Sequence, residues 1–260
     1  MFPNLIDLGF LHLRTYGACM AVGFLLCWTL IEKLSGRKDL GNLLFAMMLS
    51  GVVGARAAYV IEHWSAEFAA YPVQIVRVDQ GGLMFYGGLI LAIAVFIVWC
   101  RVKHESFWTL ASLFCTVIPL GHACGRVGCF FYGCCYGRLS DSTLAVTFPA
   151  HSPAWYEQLR AGLIEASAFR SLPVLPTQLF EAAVLLALFA VLLALWFKRR
   201  ALVLPAYLIG YALIRFGLEY LRGDPRAAWL GLSIGQFISL GMIILGVAFW
   251  FYGERSRHHR

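Results

Sequence analysis

Apolar stretches long enough to cross a bilayer recur seven times along the chain, separated by short polar and mostly basic segments. About 20 helical residues cover the hydrocarbon core, and residues 16–34, which end at EKLSGRKD, form the first such run. Residues 43–62 form the second; its Gly51, Gly54, Ala55 and Ala58 suit close helix contact, and Arg56 sits in its middle. A polar segment with Pro72, Arg77 and Asp79 leads to QGGLMFYGGLI, which opens a third span running to about residue 99 and leaving at RVKHE. The fourth begins at 107 and reaches 121 or beyond; it is short for a span, so it is expected to continue into, or break at, the glycine-rich stretch 121–138. The longest polar insertion follows, residues 139–175, with Asp141, His151, Glu157, Arg160, Glu165 and Arg170. Connections of this length without a span are often functional. The remaining spans are expected at 176–197 (ending at KRR), 203–221 and 230–251, before the basic tail ERSRHHR. The pattern predicts an all-α integral membrane protein with seven transmembrane helices. It reads as one membrane domain over 1–260, with 139–175 inserted between spans four and five as an extracytoplasmic head or arm.

Composition supports this class: 60% of residues are hydrophobic and 13% charged, against roughly 25% charged in a soluble domain. The formal charge of +7 lies at the ends of apolar runs, the pattern of membrane topology, and this argues against a nucleic-acid partner. MFPNLIDLGF lacks a basic start and the first apolar run has no small-residue cleavage site, so the first span is expected to be retained. Alternate span ends hold eleven Lys and Arg residues; the opposite side holds seven over longer stretches, and Arg56, Arg126 and Arg215 lie within or beside spans. The dense side is expected to be cytoplasmic. That puts the N-terminus and 139–175 outside, the C-terminus inside, and 121–138 near the outer face of a bacterial cytoplasmic membrane.

The candidate chemistry centres on GHACGRVGCFFYGCCYGR, residues 121–138, where glycine and cysteine are dense. Gly125, Gly128, Gly133 and Gly137 let the backbone turn sharply or let another group come close, which reads as a poor recipe for a plain spanning helix. Irregular backbone at membrane depth usually lines a cavity. Charged residues within spans are expensive, at least about 2.5–3.5 kcal/mol each, and mark functional sites by default. In the sixth span Tyr211, Arg215 and Glu219 recur every four residues, so they share a face and Arg215 can pair with Glu219; a self-neutralising structural pair is the alternative. Arg222, in RGDPR, follows at the outer end, where guanidinium groups fork well onto phosphate. Gln178 and Glu181 share a face at the start of the fifth span. With Arg126, Arg56 and Tyr16, polar residues lie on several spans, which suggests that they converge. The cysteines Cys124, Cys129, Cys134 and Cys135 follow C-x4-C-x4-C-C, unlike the C-x2-C pairs of structural zinc sites, so no metal is expected. A disulfide among them stays open, though adjacent Cys134 and Cys135 cannot easily bridge each other. Cys19, Cys27, Cys100 and Cys115 read as small apolar fillers, and His122 as a hydrogen-bonded core histidine.

The stretch 121–138 resembles the signature of the prolipoprotein diacylglyceryl transferases, roughly G-R-x-G-N/C-F-x-x-G-x-x-x-G. RTYGACMAVGF, GVVGARAAYV, QGGLMFYGGLI, LPTQLFEA and YALIRFGLEYLRGDPR resemble further segments of that family, in family order across nearly the whole chain. The resemblance implies transfer of the diacylglyceryl group of phosphatidylglycerol to the lipobox cysteine of a prolipoprotein signal peptide, forming a thioether and releasing glycerol phosphate. It implies no metal or organic cofactor. By motif position it implies Arg126 and Arg215 at the headgroup phosphate, Glu219 orienting Arg215, hydrogen bonds from Tyr16 and Tyr211, and close backbone approach at Gly137. Tyr86, Arg56, Cys129, Gln178, Glu181 and Arg222 complete the expected site. The chain departs from the family where many members have histidine (here Tyr86), asparagine (here Cys129) or, in some, a carboxylate (here Cys134), which leaves the proton acceptor unassigned. The alternatives are a related membrane transferase with a different acceptor, or a non-catalytic phospholipid-binding membrane protein.

Overall fold

The computed structural model describes residues 4–7, 12–69, 71–77, 81–223, 228–229 and 231–258. Asp79, residues 224–226 of RGDPR, Leu230 and Arg260 lie outside the described residues. A short antiparallel pair, β1 (Asn4–Asp7) and β2 (His12–Arg14), precedes the helices α1 (Thr15–Ser35), α2 (Asp39–Glu62), α3 (Phe85–Val102) and α4 (Phe107–Tyr132). Then come a short amphipathic α5 (Pro153–Arg160), α6 (Thr177–Lys198), α7 (Val203–Glu219), a two-residue antiparallel pair β3 (Ala228–Trp229) and β4 (Leu232–Ser233), and α8 (Ile234–His258). Among the described residues seven helices, all but α5, are long and apolar enough to cross a membrane. The all-α, seven-span class read from the sequence is what the chain adopts.

The fourth span takes the first of the two courses expected for it and continues into the glycine-rich stretch. α4 runs for 26 residues, through Gly121, Gly125, Arg126 and Gly128, and stops only at Tyr132. Its glycines serve helix packing. A methyl group added at Gly121 would lie 2.9 Å from Cys27 Sγ, at Gly125 3.2 Å from Met20 Sδ, and at Gly128 3.1 Å from the Tyr16 ring. Gly23 of α1 approaches Cys124 and Gly121 in the same way. Small residues every three to four positions thus line the α1-facing stripe of α4 and let the two backbones come together.

The chain divides into two compact units, Trp28–Leu110 and the combination of Met1–Cys27 with Ala111–Arg260. In the Trp28–Leu110 unit, α2 and α3 pack through the small residues read from the sequence: a Cβ at Gly54 would meet Gly87 O and one at Gly88 would meet Gly51 O. Arg37, between α1 and α2, is held by Asp39 at 2.7 Å and Glu105 at 2.5 Å.

In the larger unit, Ala123 of α4, Ala182 and Leu185 of α6 and Tyr211 of α7 share one apolar cluster. α7 meets α8 where Gly246 faces Pro205, Leu208 and Ile209. The 139–175 insertion is tied down by isolated bridges, Leu139 and Val146 to Val174 and Pro149 to Arg170. Beneath them Tyr136, Phe148, Ala154 and Val174 form a small core of their own. Ser152 caps α5 by accepting from Trp155 N–H at 3.3 Å, ahead of Pro153 at the first helical position.

Candidate active site

Arg126 projects from α4 toward α6, where its Nη2 lies 3.0 Å from Glu181 Oε1. The two side chains are 15% and 3% exposed, so Glu181 is buried and Arg126 nearly so. Arg126 Nε is buried with no hydrogen-bond partner among the described residues, as is Gln178 Oε1 one turn before Glu181. His122 occupies the turn of α4 before Arg126; its Nε2 is 3.7 Å from the same Glu181 oxygen and its ring is 5.5 Å from that of Tyr211. Glu181 also interacts electrostatically with Arg215, Arg222 and Cys135. One carboxylate therefore sits among three arginines.

On α7, Arg215 Nη1 and Glu219 Oε2 are 2.5 Å apart, with side chains 13% and 7% exposed. The four-residue spacing predicted this pair. Gly235 of α8 leaves room for it, since a Cβ there would lie 3.0 Å from Arg215 Nη2. Tyr211, one turn earlier, stacks on Tyr207 with ring centroids 5.9 Å apart. A neutralised pair in the bilayer lowers the insertion penalty, and each arginine keeps further N–H donors beyond the one its carboxylate takes.

Beyond Tyr132 the chain turns back on itself. Gly133, at φ +83°, donates to Phe130 O at 3.2 Å, and Cys134 N–H reaches Cys129 O at 3.2 Å. This is the Schellman arrangement, which closes the last carbonyls of a helix through a left-handed residue. The hook is pinned to the start of α6: Gln178 Nε2 donates to Cys134 O at 2.7 Å and Thr177 Oγ1 to Cys135 O at 2.9 Å. It brings the sulfurs of Cys129, Cys134 and Cys135 within 4.8 Å of one another. Contacts from the Cys129 and Cys134 thiols, together with the Arg222 guanidinium, hold the Cys135 thiol well below the usual thiol range against the opposing effect of burial. All eight cysteines are free.

Gly137 lies between two backbones. Its N–H donates to Leu175 O at 2.8 Å, and it bridges Arg222 in antiparallel fashion. A Cβ there would meet Leu175 O and Leu221 O, both at 2.8 Å. Gly223 meets Gly137 from the other side. The close approach at Gly137 is to the chain's own backbone, and it carries Arg222 to the cysteine hook.

Tyr16 packs over Gly128 and interacts electrostatically with Arg126 and the three clustered cysteines. In the larger unit the fold thus gathers Tyr16, Arg126, Cys129, Gln178, Glu181, Tyr211, Arg215, Glu219 and Arg222. Sequence reasoning took His122 for a core histidine and passed over Thr177. His122 lies four residues before Arg126, so helical spacing alone was a signal for it. Arg56 and Tyr86 lie in the Trp28–Leu110 unit. The Arg56 guanidinium donates to four carbonyls, those of Ile75, Gln74, Gly81 and Gly82, at 2.5–3.1 Å. It also lies 5.3 Å from the Phe68 ring centroid. Tyr86 is 48% exposed and meets the Phe85 ring edge-on.

Residues 3–252 match the family model described as prolipoprotein diacylglyceryl transferase. The phosphatidylglycerol-prolipoprotein diacylglyceryl transferase of Bordetella bronchiseptica is 32% identical over 267 residues, covering 97% of this chain and 95% of the relative. That of Vibrio atlanticus is 31% identical over 280 residues, covering 100% and 94%. That of Paraburkholderia phytofirmans is 33% identical over 288 residues, covering 98% and 94%.

Proposed function

The chain belongs to the prolipoprotein diacylglyceryl transferase family, and on that footing we infer that its buried arginines form the phosphate-binding centre of the transfer reaction. The protein is a multi-pass bacterial inner-membrane transferase that moves a diacylglyceryl group from phosphatidylglycerol to prolipoproteins. The acceptor is the thiol of the lipobox cysteine in the signal peptide. Sulfur forms a bond to the glyceryl carbon as the carbon–oxygen bond to phosphate breaks, glycerol phosphate leaves, and the thiol proton passes to a base.

Such a displacement is helped by cations preplaced where charge gathers on the leaving phosphate. The observation that carries the assignment is Arg126: it is neutralised by Glu181 at 3.0 Å, yet its Nε is buried and unpartnered among the described residues. A phosphate oxygen is the chemical complement of that donor. Arg215, aligned by Glu219, is the second phosphate ligand, and Arg222 the third cation at the outer end. Tyr16 and Tyr211 supply hydrogen bonds, Gln178 holds the cysteine hook, and Gly137 admits the backbone that carries Arg222. Cys129 stands beside Arg126 on the substrate side. Tyr86 and Arg56 keep their assignment to the substrate by motif position alone. His122, its Nε2 3.7 Å from Glu181 Oε1, is the imidazole among these residues.

The basic span ends face the cytoplasm. The arginine centre then opens toward the extracytoplasmic side, beneath the 139–175 arm on which the signal peptide docks. The test is the purified chain with phosphatidylglycerol and a lipobox peptide, followed by mass spectrometry. A thioether-linked product that disappears in Arg126→Ala and Arg215→Ala supports the reading. Retained phospholipid with no turnover in the wild type would sink it in favour of a non-catalytic lipid binder, and product on a different acceptor would redirect it.

A further inference from the structure

We propose that Cys129, Cys134 and Cys135 form a trithiolate site for a thiophilic d10 cation, zinc(II) or copper(I), at the C-terminal end of α4. Sequence spacing argued against a metal, because C-x4-C-C is not the paired C-x2-C of a zinc knuckle. The fold supplies a different geometry. Cys129 lies in the last turn of α4, and the Schellman reversal at Gly133 folds Cys134 and Cys135 back over it. All three sulfurs consequently fall within 4.8 Å of one another. With metal–sulfur bonds of about 2.3 Å, thiolates on one ion stand about 3.8–4.0 Å apart, so the three need close by less than about 1 Å.

Three further observations support coordination. The hook is held from outside by Gln178 and Thr177, which bind the carbonyls of Cys134 and Cys135, while the Cys134 thiol rests on Cys129 O at 3.9 Å, a sulfur contact that an ion would replace. Cys135 sits at φ +61°, a left-handed conformation unfavourable for a residue with a Cβ; the fold maintains it, and it turns the third sulfur into the cluster. Arg222 and Arg126 both act on the cysteines. Three thiolates on a divalent ion carry one net negative charge, on a monovalent ion two, and the neighbouring guanidinium groups offset either. Each cysteine is only partly buried, so an ion can enter. Cys19 and Cys124, though near each other on α1 and α4, lie outside the cluster. The bound ion would clip the end of α4, which carries Arg126, to the loop that carries Cys135. Soft sulfur ligands select these ions over magnesium or calcium.

The experiment uses the reduced full-length chain in detergent, titrated with Co2+ as a spectroscopic stand-in for zinc and, separately, with Cu+ against a competing chelator. The expected result is one ion per chain, with a thiolate-to-cobalt charge-transfer band that Zn2+ abolishes, or stoichiometric retention of Cu+. The first outcome assigns zinc and the second copper. Cys129→Ser, Cys134→Ser and Cys135→Ser should each weaken binding by about a hundredfold or more, beyond the loss of an outer-shell partner. A variant with Cys19, Cys27, Cys100, Cys115 and Cys124 all changed to alanine should keep both stoichiometry and band, which decides the matter even if the serine variants fail to fold. Equal binding in the triple-serine variant, loss of binding in the five-alanine variant, or absence of thiolate charge transfer with no Cu+ retained would overturn the site. None of these readouts depends on transferase activity, so this site and the catalytic reading fail separately.

Discussion

Arg126 on α4 and Glu181 on α6 meet at 3.0 Å inside the membrane-spanning bundle, and the same Glu181 oxygen lies 3.7 Å from His122 Nε2. This pair couples the glycine-rich helix to the helix that opens with Pro-Thr-Gln. Removing one partner of a buried pair leaves an uncompensated charge and destabilises by about 3–5 kcal/mol. Glu181→Ala is expected to lower the thermal midpoint of the detergent-solubilised protein markedly, and Glu181→Gln less. Arg126→Lys keeps the charge but not the fork. It should retain the fold by size-exclusion chromatography while product formation falls by about 10²–10³-fold, the range for losing one preplaced donor.

Arg215 and Glu219 give a second, separable test. If Glu219 acts on catalysis only by holding Arg215, Arg215→Ala and the double variant Arg215→Ala/Glu219→Ala should be equally inactive in the peptide transfer assay. Additive losses would instead give Glu219 its own contact with substrate. Membrane insertion should survive in the double variant, which carries no unpaired charge.

Two glycines make opposite demands on their neighbours. At Gly137 an added Cβ would press on the backbone oxygens of Leu175 and Leu221, which cannot rotate away. Gly137→Ala is expected to destabilise by about 1–3 kcal/mol and to displace Arg222, with a fall in activity. At Gly121 the nearest atom is the Cys27 sulfur, so Gly121→Ala should be recovered by Cys27→Ala. Thermal unfolding of the two singles and the double reads both cases.

Arg56 is expected to act on structure. Its four carbonyl acceptors all lie within residues 74–82, and a lysine ammonium has only three donors and no planar fork. Arg56→Lys should therefore fail to rescue Arg56→Ala, and both should expose the loop between α2 and α3 to limited proteolysis.

If His122 takes the thiol proton, His122→Gln should lower kcat far more than KM, and part of the loss should return as the pH is raised and the peptide thiol ionises unaided. A uniform loss at every pH, with a lowered thermal midpoint, would mark His122 as a packing residue.

The sequence by itself determined the membrane class, the seven spans, the Arg215–Glu219 pair and the small-residue contacts of α2 with α3. Each depends on a quantity that runs along one helix: apolar length, the penalty for a buried charge, or a repeat of three to four residues. Tertiary structure decided the rest. The glycines of 121–138 looked like a broken backbone because sequence does not say whether glycine serves a turn or a close neighbour; α1, packed along α4, made most of them contact residues. Glu181 found Arg126 only once the rotations of α4 and α6 brought them face to face. Gly133 remained a turn, and by reversing the chain there it gathered three cysteines whose spacing had argued against a zinc site.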